Sequence, residues 1–65
     1  MINIDNNWYS IDNIKSITSE VSFGRVYLII NYMYGENPVK IDVDNLENYI
    51  VQAERIVDMM EARRG

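Results

Sequence analysis

Cysteine and histidine are both absent from this 65-residue sequence. The first absence excludes disulfides, and the two together remove almost every structural zinc site. Without histidine, a serine or threonine nucleophile lacks its commonest activating base. Ser10, Ser16, Thr18, Ser19 and Ser22 therefore read as strand and turn hydroxyls. Glycine stands only at positions 24, 35 and 65, each isolated, so no loop is built to cradle phosphate. Asp42-Val43-Asp44-Asn45 has the start of a calcium loop but neither its glycine nor its later ligands. Lys15 and Lys40 sit in alternating stretches that place them in solvent. No metal or cofactor and no enzymatic activity are expected.

Long apolar runs are also missing. The longest, residues 26–34, is broken by Asn31 and falls short of the roughly 18 residues that cross a bilayer. Residues 1–5 carry no basic region and no small-residue cleavage site, so no signal peptide is expected. With cysteine absent as well, the expectation is a soluble cytoplasmic protein with no membrane partner.

What is present is 48% hydrophobic and 25% charged, a folding composition. Sixty-five residues make a single domain, residues 1–65, which buries only about 60% of its unfolded surface. Chains of this size often gain stability by self-association. A net charge of −4 disfavours nucleic acid and anionic membranes and mildly favours basic partners.

The pattern along the chain predicts an α+β fold: a small antiparallel β-meander of three to five strands packed on one C-terminal helix. Ile2 and Ile4, then Trp8 to Ser10, flank the turn formers Asp5-Asn6-Asn7 and predict a short hairpin. Ile11 and Ile14 enclose a tight turn that tucks both into the core. Residues 15–23 alternate, with Ile17, Ser19, Val21 and Phe23 on one face and Thr18, Glu20 and Ser22 on the other. Gly24 makes a turn. Residues 25–34 form the most β-prone stretch, expected in the middle of the sheet, and residues 35–38 turn again. Val39, Ile41 and Val43 alternate with Lys40 and Asp42 in a third long strand.

Asp44, with Glu47 three residues on, predicts a helix cap. Leu46, Tyr49, Ile50, Ala53, Val57 and Met60 follow as the sheet-facing stripe, with Ile56 at its margin. Arg63 and Arg64 suit the negative pole of the helix dipole, and Gly65 ends the chain.

Two features carry the functional expectation. The central strand is apolar on both faces, and one helix covers only one of them. Either the N-terminal segment folds over the second face, or that face is an interface; the second is favoured. Trp8, Tyr9, Tyr27, Ile29 and Met33 are the expected oligomer interface, being of types enriched at such surfaces. Secondly, Glu47, Glu54, Asp58 and Glu61 line one flank of the helix, where they either solvate it or meet a basic partner. Exposed aromatics on a sheet can stack bases, but acidic residues offset Arg25 and Lys40, and nucleic acid is not expected as a partner.

In size, acidity and lack of catalytic residues, the chain is similar to small phage or mobile-element proteins that bind and inhibit larger bacterial machines. The expectation is a non-enzymatic homo-oligomer that binds a larger, basic protein as inhibitor or regulator. The alternatives are a small-ligand binder with tyrosines and Arg25 at a protomer interface, an acidic nucleic-acid mimic, and a structural subunit of an assembly.

Overall fold

Most turn positions of positive φ fall on asparagine, aspartate or glycine, which tolerate it; Phe23 and Tyr34 are the exceptions. A computed structural model describes residues 1–64, with side chains through residue 63; the expectations for the Arg64 side chain and Gly65 lie outside the described residues. Asp5 and Asn6 (φ 51° and 64°) join β1 (Ile2–Ile4) to β2 (Asn7–Tyr9). Phe23 and Gly24 (φ 50° and 76°) join β3 (Ile14–Ser22) to β4 (Arg25–Tyr32). Two central residues of positive φ make the turn whose twist matches an antiparallel hairpin. Tyr34 and Gly35 (φ 62° and 76°) lie in the connection to β5 (Val39–Asp44). The helix α1 (Leu46–Arg64) closes the chain.

The expected class is the one observed: among the described residues, five antiparallel strands and one C-terminal helix. Strands β3, β4 and β5 form one sheet in that order, with β4 central, and β1 and β2 form a separate hairpin. The inner face of the sheet carries Val26, Leu28 and Ile30 of β4 with Ile41 and Val43 of β5, all buried. The helix packs over β4 and β5. Ile2, Ile4, Ile11, Ile14 and Ile56 complete the core. The hairpin therefore joins the helix side of the sheet and does not cover the second face.

Several local expectations change. Met33 and Tyr34 fall beyond β4, and Phe23 is a turn residue, fully exposed. Val21 keeps its expected face but is 71% exposed, because α1 lies over the neighbouring strands. The helix cap is Asn45, not Asp44: the Asn45 side-chain oxygen accepts the Asn48 backbone N–H at 2.8 Å. Asp44 instead takes φ 74° beside a register shift opposite Val26 and Tyr27, and its N–H donates to Asp42 at 2.9 Å. This bulge turns the chain from β5 into the helix.

The sheet-facing stripe of the helix is also displaced. Ile56 is 0% exposed and central, flanked by half-buried Tyr49, Ala53, Met59 and Met60. Leu46, Ile50 and Val57, expected in the core, are 60, 49 and 44% exposed. At about 100° per residue, these three cluster roughly 100° around the helix from Ile56.

Candidate interaction site

The displaced stripe leaves an apolar flank on α1. Asn48 and Gln52 border a cleft shared with Ile4, Asp5 and the end of β5, so that side of the helix faces the hairpin. The opposite side, carrying Leu46, Ile50 and Val57, faces β3. The cross-strand pairs Ile17 with Ile30, Ser19 with Leu28 and Val21 with Val26 put Ile17, Ser19 and Val21 on the inner face. The two sets make a ledge: a wall of Leu46, Ile50 and Val57 above a floor of Ile17, Ser19 and Val21. Phe23 projects at the end where the helix begins, since Val26 pairs with both Val21 and Asp44.

The four expected acids stand above that wall. Glu47 is nine residues from Ile56, about 180° around the helix, so the row points away from the sheet. Glu47, Glu54, Asp58 and Glu61 are all exposed, and none makes an ion pair among the described residues. Arg63, their neighbour in sequence, is drawn instead to Asp12.

The five expected interface residues do not form one surface. Tyr27 and Ile29 share the outer face of the sheet, half-buried under polar neighbours. Lys40 Nζ lies 4.4 Å from the centre of the Tyr27 ring and pairs with Glu20 across β4. Asn31 on the same face donates to Ser16 and Thr18 at 3.2 and 3.3 Å. Trp8 and Tyr9 instead line a depression with Tyr32, Glu36 and Val39. Met33 lies near Ile11, Ile14 and Met60 at the far end of the helix.

Comparison with protein-family models, curated proteins and solved structures finds no match to this chain. Functional inference therefore rests on the geometry.

A polar cleft of about 400 Å³ lies between the hairpin and the start of α1. Its cation is already engaged. Arg25 Nε donates to Asp42 at 2.7 Å, and its Nη1 lies 3.4 Å from Asp44. That hydrogen bond, with the Asp44 backbone N–H, holds the Asp42 carboxyl below its ordinary pKa and raises the Arg25 guanidinium. The hydrogen bond to Glu20 likewise raises Lys40. These groups are exposed, so the pairs orient the surface more than they stabilise it. Burial, and then the charge of Glu36, raises the Tyr32 phenol, whose O–H donates to the Ser10 carbonyl at 2.6 Å. The phenol thus anchors the loop after β2.

Sequence reasoning named the acidic row but missed the ledge. One signal was available. Leu46, Ile50, Val57, Tyr49, Ile56, Met59 and Met60 span more of the helix circumference than one sheet contact covers.

Proposed function

We propose that the protein is a non-enzymatic binding module that holds a larger, basic protein against the ledge as an inhibitor or regulator. The observation that carries this reading is the exposed wall of Leu46, Ile50 and Val57 beside four exposed carboxylates that form no ion pair among the described residues. Apolar surface supplies contact energy, and an adjacent charged rim steers the encounter and selects its sign.

A second reading, self-association, is favoured by the edge of β3. A two-residue turn closes on the hydrogen-bonded pair Ser22–Arg25, so alternate residues of β3 bond to β4. Ile17, Ser19 and Val21 then direct their N–H and C=O groups outward. Two copies paired antiparallel about Ser19 set Ile17 of one opposite Val21 of the other, and no like charges face each other. Self-association is therefore proposed at this edge, not at Tyr27 and Ile29.

Photocrosslinkers placed singly at Ile50, Val21 and Thr18 in the native host test both readings. The first expects a discrete adduct with another protein from Ile50, none from outer-face Thr18, and loss of the adduct in Leu46→Asp. The second expects a dimeric self-adduct from Val21 that disappears in Ser19→Pro, which removes an outward N–H and spares the ladder to β4. Labelling equal at all three positions overturns both.

A further inference from the structure

We infer that the occupant of the ledge is an α-helix of another protein, with a heptad apolar stripe flanked by lysines or arginines; this rests on the binding-module reading above. The first argument is spacing. Leu46, Ile50, Ala53, Val57 and Met60 recur at intervals of four, three, four and three residues. That is the a/d rhythm of a helix seam that receives a second helix. The β-branched Ile50 and Val57 alternate with Leu46, Ala53 and Met60, so the first two occupy a positions and the others d positions. Leu46, Ile50 and Val57 are the exposed side of this seam, while half-buried Ala53 and Met60 form its inner border with the sheet contact centred on Ile56.

The second argument is space. Adjacent strands lie about 4.8 Å apart, and packed helices about 8–10 Å apart. Because α1 lies over β4 and β5, a helix beside it comes to rest above β3. There it covers Ile17 and Val21 together with Leu46, Ile50 and Val57. One helix thus fills both wall and floor, completing a two-helix layer over the sheet.

The third argument is charge, and it selects the partner. Glu47, Glu54 and Glu61 are seven residues apart, each directly following a d position, which makes them the e positions of the seam. These positions pair across the interface and set partner choice. Two copies of α1 laid antiparallel would oppose glutamate rows. Laid parallel, each row would meet Tyr49, Ile56 and Arg63 of the other copy; Ile56 is buried in its own core and Arg63 already pairs with Asp12. The flank therefore disfavours its own copy and suits a basic helix. Asp58, one turn from Glu54 and three residues from Glu61, adds to the same field.

The probe is a three-heptad peptide with isoleucine at a, leucine at d and lysine at e and g, titrated into the full chain by calorimetry. A matching peptide with glutamate at e and g serves as the counter-probe. The lysine peptide is expected to bind one to one, at least tenfold more tightly than the glutamate peptide, and more weakly as salt rises. The variant E47K/E54K/E61K is expected to reverse that preference, with its fold checked by circular dichroism. Amide shifts on binding are expected along the Leu46–Val57 flank and at Ile17 and Val21. Equal affinity for both peptides, no reversal in the variant, or shifts confined to the outer face would overturn the inference. No binding of either peptide, with an intact Ile50 crosslink to another protein, would sink the helical partner alone. Loss of both would sink the binding module too.

Discussion

Phe23 is the residue at which conformational cost and exposure coincide. It holds φ 50° in a two-residue turn with its side chain wholly in solvent. A non-glycine residue there costs about 1 kcal/mol, and asparagine tolerates the position far better. Phe23→Asn creates the Asn-Gly pair that this turn prefers. It is expected to raise the urea midpoint by an amount worth roughly 1 kcal/mol. If Phe23 contributes to the ledge, the same variant also weakens binding; stability would rise while affinity falls. A midpoint unchanged or lowered would show that Phe23 carries no such strain in the turn. Nothing in the sequence marked this position as strained. Phenylalanine suits a strand, and the alternation of residues 15–23 ran on through it; the turn claimed it because Gly24 alone cannot close a two-residue loop.

At the scale of elements, the helix shows how a one-residue displacement reassigns surfaces. Both Asp44 and Asn45 are good caps by residue type. The bulge at the end of β5 leaves Asp44 at φ 74°, outside the extended backbone a cap normally adopts, and passes the role to Asn45. Asn45→Ala is expected to cost about 1 kcal/mol in chemical denaturation. Asp44→Gly is expected to be close to neutral, because glycine accepts the positive φ and the lost pair with Arg25 is a surface one. The reverse ranking would mean that Asp44, not Asn45, caps the helix. Existence, length and amphipathicity of the helix were legible from sequence. Which of its apolar residues met the sheet was not, because the helix carries more apolar positions than one contact uses, and rotation about its axis is set by packing.

For the whole molecule, size makes each core contact count. A 65-residue domain has a stability of roughly 3–10 kcal/mol. Ile56 seals α1 onto Leu28, Ile30, Ile41 and Val43 and joins them to Ile2 and Ile4 of the hairpin. Ile56→Ala is expected to cost about 3 kcal/mol, a large share of the total. Ile50→Ala, at a half-exposed site, is expected to cost less than about 1 kcal/mol and to act on binding instead. Thermal and urea melts of the two variants separate core from ledge. Equal losses would place Ile50 in the core, as its spacing first implied, and would remove the wall on which the functional proposal stands.

The sequence by itself determined the elements and their order. Asparagine, aspartate and glycine punctuate the chain at most positions where φ turns positive, Phe23 and Tyr34 excepted; period-two alternation marks β3 and β5, and period-3.6 recurrence marks the helix. It also determined the acidic row, because spacing along a helix fixes which side chains share a flank. Only the tertiary structure decided which faces are covered. The hairpin joined the helix side of the sheet, where Ile2 and Ile4 are buried in the core. The helix settled over β4 and β5, leaving β3 uncovered at its edge and, on its inner face, at Ser19 and Val21. Burial is a contest among several apolar surfaces for too few partners. In this protein, the surface left over is the one proposed to bind.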